Sequence, residues 1–151
     1  MDYDVRTEQA QPRPLAAIRA RIPRDRVGEN IIAMLDVIWP VLRAQGAVTG
    51  HNVVIYNGAE DGLLTVDVGV EVPAGFAADG DVRPAATPSG EVAATAHFGD
   101  YARLGDAYTA LEQWCASHGR RPAGVNWEVY GDWDDDPAKV RTDVHFLLEP
   151  S

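Results

Sequence analysis

Glu128 is the residue in this chain most open to a chemical reading. It stands in the stretch Gly124 to Trp133, GVNWEVYGDW, and an earlier stretch from Gly50 to Gly58, GHNVVIYNG, repeats the form G-x-N-x-x-[IV]-Y with Val54 at the matching place. On a strand, Asn126, Glu128 and Tyr130 share one face, while Trp127 and Val129 share the other. Alternation alone leaves two settings open: Trp127 and Val129 buried with Glu128 in water, or the reverse. The earlier copy favours the reverse, because Asn52, Val54 and Tyr56 would occupy the Glu face and an apolar-aromatic pair suits a covered surface. A carboxylate there is costly unless it is hydrogen-bonded, paired or neutralised. Tyr56 and Tyr130 are the nearest candidate donors. A cationic ligand would supply the missing charge, and flat aromatic walls would suit it.

Aromatic residues that could line such a cleft are Trp39 on the flank of a first helix, Trp114, Tyr101 and Tyr108 on or near a second, Trp133 in an acidic turn and Phe146 on the last strand. Each such residue is more often part of a core than a ligand contact. Other chemistry has little support. His51, His97, His118 and His145 show no zinc spacing, Cys115 falls on an apolar helix stripe, and there is no G-x-S-x-G or phosphate-cradling loop. Asp134, Asp135 and Asp136 lack the alternation of a calcium loop and read as a solvated turn. No metal and no cofactor is expected. If the chain is an enzyme, Glu128 would orient or deprotonate water and Tyr130 or Tyr56 would steady a developing oxyanion.

The elements that must position these residues come in two copies. One constant offset aligns Val5-Arg6 with Val82-Arg83, Ala16-Ala17 with Ala93-Ala94, Gly28 with Gly105 and Ala33 with Ala110; a slightly smaller one aligns Gly50, Asn52 and Tyr56 with Gly124, Asn126 and Tyr130. VRTEQAQPRPLAAIRARI and VRPAATPSGEVAATAHF each read as two extended pieces broken by a Pro or Gly turn. A helix follows in each half. Val27, Ile31, Ile38 and Leu42 mark the buried face of the first, with Gly46 ending it and Pro40 predicted to kink or split it near Trp39. Leu104, Tyr108, Leu111 and Cys115 mark the second, with Gly119 as its stop. The strands HNVVIYN and LLTVDVGVEV, then VNWEVYG and RTDVHFLLE, complete the halves, joined by the turns NGAEDG and DWDDDPAK. The expectation is a single α+β domain over residues 1–151, a tandem β-α-β-β repeat of about 1–73 and 82–150. Its antiparallel sheet carries two main helices and a ligand cleft between the halves.

Composition agrees with one folded domain: 151 residues, 46% hydrophobic and 24% charged. Thirteen Lys and Arg against 23 Asp and Glu leave a net charge of -10, with no basic cluster, which disfavours direct nucleic-acid binding. The N-terminal MDYDVRTEQAQPRP has no signal-peptide segment, and the richest apolar run, Ile31 to Leu42, is too short to span a bilayer. With a single cysteine, this points to a cytoplasmic protein.

PSGEVAATAHFGDYARLGDAY, RRPAGVNWEVYGDW and RTDVHFLLEP, together with PLAAIRARIP and GAVTGHNVVIYN, resemble the GyrI-like small-molecule-binding domain, the effector-binding domain of bacterial multidrug-sensing MerR-type and AraC-type regulators. The resemblance implies a pseudo-twofold sheet, a cleft for bulky, aromatic, often cationic compounds, and a buried acid at its floor in the motif matched by Glu128-x-Tyr130. Strand-like sequence already begins by Val5, which suggests a stand-alone form without the helix-turn-helix of those regulators. Three readings follow: a binder of small hydrophobic or cationic aromatic molecules; a hydrolase opening the cyclopropane rings of DNA-alkylating natural products, as some stand-alone relatives are; or an interaction module of gyrase-inhibitor type. Oligomeric state is left open.

Overall fold

The computed structural model describes residues 3–151; Met1 and Asp2, which open the polar N-terminal stretch, lie outside it. Strands β1 (Arg6–Ala10) and β2 (Pro14–Pro23) lead into helix α1 (Val27–Gln45), followed by β3 (Asn52–Glu60) and β4 (Leu63–Glu71). The pattern then recurs as β5 (Arg83–Ala86), β6 (Gly90–Phe98), α2 (Gly105–Ser117), β7 (Pro122–Tyr130) and β8 (Arg141–Leu148). This is the expected α+β class, with antiparallel strand pairs and two helices. The first piece of each half is split where the proline and glycine turns predicted it. Among the described residues no helix is long and apolar enough to cross a membrane.

The chain forms two compact units that are not the two sequence repeats. One comprises the N-terminal residues through Gln11 with Pro88–Ser151, the other Pro12–Thr87. Each takes its outermost strand from the other repeat: β1 pairs with β6 from Arg6↔Ala94 to Ala10↔Gly90, and β5 pairs with β2 from Pro14↔Ala86 to Ala17↔Arg83.

In the Pro12–Thr87 unit the strand order is β3-β4-β2-β5. Val54 faces Val68 and Tyr56 faces Val66 across the β3–β4 ladder, and all three valines are fully buried. Helix α1 lies on this face, burying Ile38 and Leu42 and donating the Trp39 indole N–H to Asn52 Oδ1 at 3.0 Å. Gly46 ends the helix in the left-handed region, φ 63°, with its N–H on the carbonyls of the last turn. The predicted split at Pro40 does not occur: α1 runs through it as one helix. Pro40 sits on the solvent side, so the Asp36 carbonyl deprived of its donor is on an exposed residue that water can reach. NGAEDG is also not a turn throughout. The β3–β4 hairpin extends to Glu60 and Leu63, leaving only Asp61 and Gly62, both at positive φ, as a two-residue turn. Asp-Gly is the pair such a turn selects.

The reverse face of this unit buries Leu15, Val53 and Ile55 and also carries a polar cluster. Arg19 forks onto Asp67 at 2.9 and 2.8 Å, and Asn57 Nδ2 adds a third bond at 2.9 Å. Between them the backbones of β2 and β4 approach closely at Gly69, where a Cβ would lie 2.9 Å from both the Ala16 carbonyl and the Ala17 methyl. Gly69→Ala is therefore expected to destabilise the protein by about 1–3 kcal/mol, as overpacking against backbone does, which denaturant unfolding would measure.

In the other unit the order is β1-β6-β8-β7. Ala93, Val144, Phe146 and Leu148 of the sheet pack with Ala107, Leu111 and Cys115 of α2, and Tyr3, Val5, Leu104, Tyr108 and Trp114 close the cluster from its margins. Burial pushes the Cys115 thiol up, which keeps it protonated and unreactive.

Candidate functional site

Register decides which face of β7 is covered. Asn126 faces Phe146, Glu128 faces Val144 and Tyr130 faces Thr142 across the β7–β8 ladder, so the Glu128 row lies on the face that carries the α2-packed core. Glu128 is 3% exposed. The strand does not bury this face at the expense of the other, because Trp127 is equally enclosed, stacked on His145 with ring centroids 4.9 Å apart.

The Glu128 carboxylate is held by two phenols. Tyr108, on the first turn of α2, donates to Oε2, and Tyr130 donates to Oε1. Asn126 Nδ2 donates to the Tyr108 oxygen at 3.2 Å, which orients that hydroxyl toward the acid. Phe146 meets the Tyr108 ring at 5.7 Å and Tyr101 meets the Tyr130 ring edge-on at 5.7 Å. The result is one acid on a covered sheet face, bonded by two phenols whose rings are themselves in aromatic contact. Charge-assisted bonds of this kind offset part of the desolvation of a carboxylate, and a bound cation would offset the rest.

Of the residues singled out in the sequence, Asn126, Glu128, Tyr130, Tyr101, Tyr108 and Phe146 are brought together here. Trp39, Val54 and Tyr56 belong to the Pro12–Thr87 unit. Trp114 stacks on His118 at 4.3 Å at the far end of α2, and Trp133 is 72% exposed in its turn. Sequence reasoning placed Tyr108 on the apolar helix stripe and did not anticipate it as a donor to Glu128; its spacing gives the helix face but not the sheet residue opposite. It also missed the partners of His97, which is fully enclosed between the Tyr3 hydroxyl on Nδ1 and the Asp100 carbonyl on Nε2, each at 2.9 Å. Among the described residues no group of His, Cys, Asp and Glu is arranged to hold a metal.

Behind the site, on the Trp127 face, burial lowers the His145 pKa below its usual 6.5, with the Asp143 and Glu8 carboxylates pulling the other way. The folded protein thus holds His145 neutral while the unfolded chain protonates first, so stability is lost as pH falls through about 6.5. Thermal midpoints between pH 7.5 and 5.5 are expected to fall more steeply in the wild type than in His145→Gln. Glu71 acts in a different window. Burial raises its pKa, but bonds from the His51 N–H and Arg13 outweigh that and lower it, so its contribution is lost only as pH falls below about 4.5.

The family model of the GyrI-like small molecule binding domain matches residues 3–148. The chain belongs to the GyrI-like family. Solved structures agree on the fold. The C-terminal domain of EcmrR is 20% identical, with full coverage of both chains and a TM-score of 0.81. In the EcmrR–DNA complex the GyrI-like chain spans 58% of the EcmrR chain, again at 20% identity and a TM-score of 0.81, with 99% of its own length covered. SAV2435 bound to tetraphenylphosphonium is 12% identical over 99% of this chain and 94% of its own, with a TM-score of 0.69. A hydrolase from Listeria innocua is 9% identical over 96% and 91%, with a TM-score of 0.66. No curated protein sequence matches the chain.

Proposed function

We propose that this GyrI-like domain binds hydrophobic, preferably cationic, aromatic molecules at Glu128. The observation that carries the reading is the enclosed carboxylate held between the Tyr108 and Tyr130 hydroxyls, flanked by aromatic rings. Glu128 supplies charge, the phenols fix its oxygens, and Tyr101, Tyr108, Tyr130 and Phe146 supply flat apolar area. The tetraphenylphosphonium held by SAV2435 is a lipophilic cation of this class.

Titration with rhodamine 6G tests the proposal, with fluorescence anisotropy as the readout. Micromolar binding is expected, weakened roughly thirtyfold in Glu128→Gln, because losing one partner of an enclosed charge pair costs about 2 kcal/mol or more. Unchanged affinity in that variant would remove Glu128 from the mechanism. A second reading rests on the same geometry: the carboxylate could take a proton from water as that water forms a C–O bond to a cyclopropane carbon, the electron pair of the broken C–C bond passing to a conjugated carbonyl oxygen of the substrate that a phenol would stabilise. Turnover of a cyclopropane-containing alkylator, lost in Glu128→Gln, would favour the hydrolase over the binder.

A further inference from the structure

Three threonines are buried in the described structure, and two have evident work. Thr95 Oγ1 donates to the Asp4 carbonyl at 2.8 Å, and Thr87 Oγ1 accepts from the Arg13 N–H at 2.8 Å. Thr142 is fully enclosed, yet its Oγ1 has no hydrogen-bond partner among the described residues. Its neighbours across the ladders do not serve it. His97, its partner on β6, uses both nitrogens: the Asp100 carbonyl can only accept, so Nε2 donates and Nδ1 takes the Tyr3 hydroxyl. Tyr130, its partner on β7, gives its hydroxyl proton to Glu128.

The duplicated unit shows what this position needs structurally. There Tyr56 faces Val66, just as Tyr130 faces Thr142, and Val54 faces Val68, just as Glu128 faces Val144. Val66 is fully buried, so a methyl satisfies the packing at this kind of position. Across the β7–β8 ladder, the two places where the Glu128 face is polar and its copy apolar are thus Glu128 and Thr142; on β6, Thr95 and His97 likewise stand where β2 carries Ile18 and Ala20, but both have partners. Glu128 and Thr142 are diagonal neighbours on one sheet face, within reach of one bound molecule. An enclosed hydroxyl without a partner is a cost to folding, and such costs cluster at sites that serve a ligand.

We propose that Thr142 is a second polar contact of the Glu128 site, accepting an N–H of the ligand and so selecting cationic aromatics that carry an amine over cations that carry none. This rests on the reading of Glu128 as the ligand's charge partner.

The test uses two probes, ethidium, which has aryl amines, and tetraphenylphosphonium, which has no hydrogen-bonding group. Thr142→Val is expected to weaken ethidium about tenfold, to leave tetraphenylphosphonium within about twofold, and to raise the thermal midpoint of the ligand-free protein. Thr142→Ser, which keeps the hydroxyl, is expected to retain ethidium. The inference is overturned if Thr142→Val binds both probes as the wild type does, weakens both equally, or melts at a lower temperature than the wild type. Failure of the wild-type protein to bind either probe would refute the Glu128 reading and this inference together; binding of both with no change in Thr142→Val refutes this inference alone.

Discussion

Replacing Glu128 with valine is expected to leave a folded protein that binds tetraphenylphosphonium at least about a hundredfold more weakly than the wild type does. The substitution copies what the duplicated strand already carries: Val54 is fully buried opposite Val68, in the register that places Glu128 opposite Val144. Two effects on stability oppose each other. The Tyr108 and Tyr130 hydroxyls lose their acceptor, at roughly 1–3 kcal/mol for each that finds no other partner, while the desolvation of an enclosed carboxylate is relieved. Binding has no such compensation, because the cation would enter an apolar site with no counter-charge, and breaking an enclosed ion pair costs about 3–5 kcal/mol. Calorimetric titration read beside a thermal melt separates the two. A folded Glu128→Val protein with wild-type affinity would rule out the electrostatic role, whereas loss of affinity together with loss of folding would be resolved by the gentler Glu128→Gln.

The position of the acid was legible in the sequence for a physical reason. A strand alternates its faces with a period of two, so a second copy of the strand reports whether a given face is covered, and Val54 with Tyr56 reported it for Glu128 and Tyr130, although the opposite face is covered as well. Helix ends were legible on similar grounds, since Gly46 and Gly119 both take the left-handed conformation that stops a helix. The donor Tyr108 was visible only as part of an apolar stripe, because the rotation of α2 on the sheet depends on packing rather than on its own spacing. Thr142 was invisible for a stricter reason: its meaning lies in register, opposite Tyr130 and His97, and register is not written in either strand alone. The run through Pro40 likewise depends on which side of α1 meets water. The exchange of β1 and β5 between the repeats is the least local feature of all, joining segments roughly half the chain apart.

That exchange predicts a large effect from a small deletion. Removing the first 11 residues takes away β1 and, with it, the whole Arg6↔Ala94 to Ala10↔Gly90 ladder on the outer edge of β6. Two enclosed polar groups lose partners at once. Thr95 loses the Asp4 carbonyl, and His97 Nδ1 loses the Tyr3 hydroxyl, each worth roughly 1–3 kcal/mol when left without a partner. Tyr3 and Val5 also leave the margin of the α2-packed cluster, exposing part of its apolar surface. Together these reach on the order of 5 kcal/mol, comparable to the whole stability of a marginal domain. Residues 12–151 are therefore expected to lose hydrogen-exchange protection across β6, β8 and α2, while β2, β3 and β4, whose ladders lie in the other unit, keep theirs. Restoring β1 as a synthetic peptide of residues 1–11 in excess should recover part of that protection, since the ladder and both hydrogen bonds re-form on binding. Equal protection in the truncated and full-length proteins would show that β6 does not depend on the exchanged strand. Uniform loss across both units would show that the two fold as one cooperative body, with β1 at its weakest edge.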